Sequence, residues 1–345
     1  MTKIIFTGDY FYNYKFFAKD LNLIFDELSL YDASFINFEG SFQSNERHTK
    51  SVNLSMSNES LNVPKNTNLI LCNNHSTDYG EKGIINTIDK LNAKGIHYFG
   101  INKDKNDNSF LFETKINKKN FLIATLGWEN EECIPAKENS MGIKPFSKKS
   151  IDELKLLIKK KKSDFNILYI HAGYEWEKYP LPDHVGLARR AIDSGFDMVY
   201  FCHSHTVQDY EIYNSKLIHY GLGNFYFSSR RSSFPQISDE GCCLILDIDH
   251  NINYKYRNIT YDRKNNFSML GEEKDLPVNS LPYSNLEEYS KNYKFFRTRK
   301  KNPRPILYYG KDTQNFLKFL LWKFIADVLG FLNLRKFAKK IVGWD

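Results

Sequence analysis

With 345 residues, 41% of them apolar and 15% aromatic, the chain can bury the core of one large domain and carry an appendage besides. The net charge of +7 is local, because residues 286–345 hold 14 Lys and Arg against 5 Asp and Glu, leaving 34 of the 48 cations and 36 of the 41 anions to the body. A near-neutral body with a mean hydropathy of −0.52 argues against a membrane bundle and against nucleic-acid binding, whereas the basic tail suits an anionic surface such as a membrane.

The first predicted strand, residues 3–7, is expected to break at Gly8 and aim Asp9 outward. Phe16, Phe17, Leu21, Ile24, Phe25 and Leu28 share one helical face and predict a helix over 16–28. A second strand, 32–38, leads to Asn37 and Glu39, which lie two apart and so on one face. Residues 41–62 are polar and aperiodic and read as a surface loop. A third strand, 68–72, runs into Asn73-Asn74-His75. The helix after it, 81–94, has Asp78 as its expected N-cap and Gly95 as its stop.

Residues 110–116 and 120–126 predict a hairpin about Asn117-Lys118-Lys119. A helix over 151–162 ends in lysines, which suits a helix C-terminus better than a binding patch. Strand 164–170 ends in His171-Ala172-Gly173-Tyr174-Glu175, and helix 182–194 starts at Pro182 and stops at Gly195. Strand 197–201 delivers Cys202-His203-Ser204-His205. Two hairpins follow, one about Asn214-Ser215 that runs into Gly221-Leu222-Gly223-Asn224-Phe225, and one over 241–261.

Helical crossovers imply parallel strands, and open sheets of this kind gather ligands at the carboxyl ends of their strands. Five such ends carry Asp9, Glu39, Asn74 with His75, His171, and His203 with His205. One placement is easy by chance; five are not. Carboxylate, carboxamide and imidazole donors without thiolate suit Mn, Fe or Zn. About six donors furnish two ions sharing a carboxylate better than one crowded ion. Such a pair grips a phosphate ester and lowers the pKa of a water between the ions. His48, His97, His184, His219 and His250 lack this company and read as structural or surface residues. Cys72, Cys133, Cys202, Cys242 and Cys243 show no ligand spacing and fit reduced thiols.

The ordered set G-D, N-x-E-G, N-N-H-x-x-D-Y-G, H-x-G-x-E, H-x-H and G-L-G-N-F resembles the CapA family of poly-gamma-glutamate and capsule synthesis proteins, over about residues 3–227. That family is similar in fold to calcineurin-like metallophosphoesterases. The resemblance implies an α/β/β/α sandwich of mixed sheets flanked by helices. It further implies metal ligands at Asp9, Glu39 (bridging), Asn74, His171, His203 and His205, with His75 serving the leaving oxygen. Asn37, Glu175 and Asn224 match orienting or substrate-contact positions. Two departures stand out: Phe11 replaces a His ligand, so that the second ion is weakly held, absent, or completed by another residue such as Glu175, and Cys202 replaces a Gly.

The implied function is a metal-dependent, phosphoesterase-type hydrolase in capsule or envelope polymer metabolism. The alternatives are a non-catalytic accessory of a poly-gamma-glutamate machine and a metal-dependent amide hydrolase or transferase on a gamma-glutamyl polymer. The expected organisation is a domain over 1–265, an irregular basic linker over 266–312 and an amphipathic C-terminal helical tail over 313–345. Lys318, Lys323, Asp327 and Gly330 argue against a spanning helix and for one lying in the membrane interface. With no secretory signal at the N-terminus, the expected location is cytoplasmic, peripheral to the inner membrane face, with a capsule precursor as substrate and a membrane synthase as partner.

Overall fold

The computed structural model describes residues 2–13, 21–44, 52–228, 235–249, 252–264, 267–276 and 285–297. In chain order it forms β1 (Thr2–Phe11), α1 (Leu21–Leu28), β2 (Ala33–Phe38), β3 (Thr67–Ile70), α2 (Gly80–Lys94) and β4 (His97–Phe99). There follow β5 (Leu111–Ile116), β6 (Lys119–Gly127), α3 (Lys148–Lys161), β7 (Phe165–His171), α4 (Pro182–Asp193) and β8 (Met198–Cys202). The remainder is β9 (Tyr210–Tyr213), β10 (Lys216–His219), β11 (Asn224–Phe227), β12 (Glu240–Ile248), β13 (Ile252–Asp262), β14 (Phe267–Leu270), β15 (Lys274–Asp275) and α5 (Leu286–Phe296).

Among the described residues the strands make two mixed sheets, one ordered β14-β13-β12-β1-β2-β3-β4 with β11 also on β1, the other β5-β6-β7-β8-β10-β9. The strands that are separated by helices pair in parallel, β1 to β4 in the first sheet and β6 to β8 in the second. Alternation along β1 and β2 turns Phe6 and Phe35 toward the second sheet, where Phe6 meets Tyr200 at 5.2 Å and Phe35 meets Phe112 at 6.1 Å. Tyr10 faces the other way and meets Phe25 of α1 at 5.7 Å. On the far face of the second sheet Leu168, Ile170, Val199 and Phe201 are buried with Ile151 and Leu154 of α3 and Val185 and Ala188 of α4. The layers therefore run helix, sheet, sheet, helix. Each fully buried Phe contributes roughly 1.5–3 kcal/mol of apolar transfer.

Several expectations are revised. β1 does not end at Gly8: its register shifts between Phe6 and Asp9 and the strand continues to Phe11, so Asp9 sits in a kink within a strand. The described parts of 41–62 are mixed, with Ser41, Phe42, Met56, Ser57, Ser60 and Leu61 buried, Gln43, Val52, Asn58, Glu59 and Asn62 exposed, and Ser41 bridged to Ser55, so the segment is anchored rather than a free surface loop. Within 266–312, β14 and β15 pair with β13, and α5 packs on α4. Residues 313–345 lie outside the described residues. No helix among the described residues is long and apolar enough to cross a membrane.

Candidate metal centre

The kink of β1 is fixed by glycines. Gly8 lies against the backbone of Gly223, where an added Cβ would stand 2.0 Å from Gly223 O, and the Asp9 N–H donates to that same carbonyl at 3.0 Å. Asp9 is thereby paired with Asn37 on one side and Asn224 on the other. Its Oδ1 accepts from Asn37 Nδ2 at 2.7 Å, and the His203 N–H points at Oδ1 and Oδ2 from 3.3 and 3.2 Å. The turn after β8 is strained, with φ of +98° at His203 and +53° at His205, neither of them glycine. Such backbone persists where the surroundings hold it and is common at functional sites.

Asp9, Glu39, Asn74, His75, His171, His203 and His205 are all buried at one edge of the sandwich. Glu39 belongs to two donor groups, one with His171 and His203 and one with Asp9 and His205, and within each group the donor atoms lie within 4.8 Å of one another. Asn74 Oδ1 is 2.9 Å from His171 Nε2, on the first group's side. Neither carboxylate oxygen of Glu39 and neither ring nitrogen of His203 has a hydrogen-bond partner, although all four are buried. Buried polar atoms left this way cost stability unless something else meets them. Glu39 Oε1 stands 3.7 Å from His205 Nε2 and 4.0 Å from His75 Nε2. Two donors each about 2.1 Å from one cation stand about 3.0–4.2 Å apart, so the Glu39–His205 spacing suits a shared ion better than a hydrogen bond.

The electrostatics agree. Burial, then the Asp9 carboxylate, hold the Glu39 carboxyl well above the usual carboxylate range. Burial would push the His205 imidazole down, but Glu39 and Asp9 lift it to about 10. Glu175, half-buried, acts on both groups. A buried excess of carboxylate is what a divalent cation neutralises. The residues present therefore fit two ions sharing Glu39. The second group has the poorer surroundings, for Phe11 packs on Phe227 at 5.3 Å and Phe227 on His205 at 4.9 Å, an apolar wall in place of a donor. Asn224 Oδ1 is 2.9 Å from His205 Nδ1, and Asn224 Nδ2 donates to Ser238 O at 3.0 Å, which fixes the amide's orientation.

Four residues of the site escape the sequence reading. Asp78 does not cap α2, whose N-cap is Tyr79; its Oδ2 lies 2.7 Å from His75 Nδ1 and accepts from the Leu54 N–H at 2.7 Å. The i, i+3 spacing of His75 and Asp78 was the available signal. Tyr169 OH lies 2.9 Å from His171 Nδ1, and its position two before His171 on β7 places both on one face. Asn73 Nδ2 donates to Asn37 Oδ1 at 3.1 Å. Glu131, from the loop after β6, brings Oε2 to 3.7 Å from His203 Nε2, and no local sequence pattern marks it.

The architecture is a four-layer α/β/β/α sandwich of two mixed sheets with carboxylates and imidazoles gathered at its parallel strand ends. The chain belongs to the family described as bacterial capsule synthesis protein PGA_cap, whose model matches residues 3–229. It is 31% identical over 191 residues to the capsule biosynthesis protein CapA of Bacillus anthracis, covering 53% of this chain and 46% of that one. It is 30% identical over 200 residues to the PGA biosynthesis protein CapA of Bacillus subtilis, covering 55% and 52%. A probable polyglutamine synthesis accessory protein of Mycobacterium tuberculosis is 29% identical over 178 residues, covering 47% of each. The chain thus spans about half the length of the curated relatives it matches. Among solved structures, a 5'-nucleotidase precursor from Thermus thermophilus superposes with a TM-score of 0.48 at 12% identity over 77% of this chain and 55% of that one.

Proposed function

We propose that the chain is a metal-dependent hydrolase of phosphoesterase type, acting in capsule or cell-envelope polymer metabolism. The observation that carries this reading is Glu39, a buried carboxylate without hydrogen bonds that stands in two groups of donors at once. Two divalent ions there, Mn, Fe or Zn by donor type, would supply Lewis-acid polarisation of a phosphoryl oxygen and activation of water. The chain's own groups do the rest. Asn37 orients Asp9, and Tyr169 fixes the His171 ring. Asp78 holds His75 Nδ1, which leaves Nε2 on the Glu39 side to hand a proton to the leaving oxygen.

A capsule or envelope precursor as substrate is supported by the family and by the names of the two CapA relatives. A cytoplasmic location on the inner membrane face, a membrane synthase as partner and no role for nucleic acid rest on the charge distribution and the amphipathic pattern of 313–345. A second reading, a non-catalytic accessory of the polymer machine, is favoured by Phe11 beside the poorer donor group and by the accessory protein among the relatives.

Purified protein supplied with Mn, Fe or Zn and assayed on a panel of phosphomonoesters and phosphodiesters separates the two. The hydrolase reading requires bound metal and turnover that His75→Ala abolishes while metal is retained. No stoichiometric metal and no hydrolysis across the panel would decide for the accessory.

A further inference from the structure

α5 lies beyond the part of the chain that the family model matches, yet it is bonded to a segment that touches the metal centre. Tyr289 and Tyr293 are buried on its inner face with their rings 5.8 Å apart. The Tyr289 hydroxyl donates to Pro180 O at 2.6 Å, and the Tyr293 hydroxyl to Tyr179 O at 3.5 Å. Both acceptors belong to the connection between β7 and α4, the same connection that carries Glu175.

The other side of that connection is bonded to the turn bearing the two histidines. Trp176 N–H donates to Ser204 O at 2.6 Å, while Glu177 O accepts from Thr206 Oγ1 at 2.8 Å and from Gln208 Nε2 at 2.6 Å. Trp176 itself has φ of +59°, so one non-glycine residue in left-handed backbone bonds Ser204, which lies between two others, His203 and His205. Strained residues need surroundings that over-determine them. Here the outermost support is a helix from outside the family-matched region.

We infer that Tyr289 is a positioning residue for the metal centre: by bonding Pro180 it braces residues 174–181, which in turn hold the His203–His205 turn in the geometry that aims both imidazoles at Glu39. The inference rests on the metal-centre reading for its metal arm and stands independently of it for its backbone arm.

Tyr289→Phe removes only the hydroxyl. Tyr213→Phe is the control, since its hydroxyl bonds Asp193 at the other end of α4, 3.3 Å away. In the full chain, amide hydrogen exchange and Mn2+ affinity by chelator competition are measured for both variants and the parent. The loss of one buried hydrogen bond is expected to raise exchange at 174–177 and 204–206 about fivefold and to weaken Mn2+ binding by a similar factor, with Tyr213→Phe unchanged. Unchanged exchange in both segments overturns the inference, as does a rise spread evenly over β7, β8 and α4, which is the signature of general destabilisation. Faster exchange in those segments with parental Mn2+ affinity also overturns it. If the parent binds no Mn2+, the metal reading fails and the exchange comparison alone decides whether the brace exists.

Discussion

His205 Nε2 stands 3.7 Å from Glu39 Oε1, while Nδ1 of the same ring lies 2.9 Å from Asn224 Oδ1. One edge of the imidazole thus faces both the Asn224 amide and Asp9 Oδ2, 3.2 Å from Nδ1, and the other is turned to a carboxylate that also lies in one donor group with His171 and His203. Because both ions would depend on Glu39, Glu39→Gln is expected to weaken binding at both sites, whereas His205→Ala weakens only the second. Isothermal titration with Mn2+ reads this directly, and equal losses in the two variants would contradict a shared carboxylate.

Asp78 fixes His75 through a buried 2.7 Å contact, so Asp78→Asn leaves the ring in place but deprives it of its anionic partner. Positioned acid–base groups contribute about 10²–10⁴-fold. Turnover on any phosphoester that the protein cleaves is expected to fall at least tenfold, in kcat rather than KM, with metal content unchanged. Metal loss in Asp78→Asn would instead assign the pair to the metal centre.

Phe11 and Phe227 wall the second donor group with rings where another ligand could stand. Phe11→His is expected to tighten the second ion about tenfold, within the range typical of support to a metal site. Isothermal titration with Mn2+ should then resolve two tight sites in the variant and one tight and one weak in the parent. A single weak second site in both would show that residue 11 does not reach the ion.

His184 and His219 contribute to the acid sensitivity of the fold. Burial pushes both imidazoles down to about 3, whereas an unfolded histidine titrates near 6.5. Below 6.5 the unfolded chain binds protons that the folded chain refuses. The stability these groups contribute is therefore complete above pH 6.5 and is lost as pH falls toward 3, at up to about 1.4 kcal/mol per pH unit for each. Urea midpoints should drop between pH 6.5 and 4, and His184→Leu should make that drop shallower. Parallel profiles for parent and variant would exclude His184 as a contributor.

The sequence read well where local pattern and chemistry coincide. Period-two and helical repeats place most strands and helices before residue 263, though not β11, β14, β15 or α5, and the hairpins at Asn117-Lys118 and Asn214-Ser215 open on an asparagine, which favours the left-handed backbone that it adopts there. The donors at the strand ends were legible because polar, ligand-type residues directly after apolar strands have few other reasons to be there. Glu131 was not, because its contact with His203 joins loops after β6 and β8 that have no sequence relationship to one another.

By itself the sequence determined most of the element order up to β13, the parallel strands and which polar side chains stand at the strand ends, since these follow from periodicity, crossover length and side-chain chemistry acting over a few residues. Only the tertiary structure decided that Glu39 stands within reach of both His171 with His203 and Asp9 with His205, that Asp78 belongs to His75 rather than to a helix end, and that Tyr289 of α5 bonds the connection between β7 and α4. Those are distances between segments far apart in the chain. They are set by how two twisted sheets pack and by backbone contacts such as Gly8 on Gly223, and no local propensity encodes them.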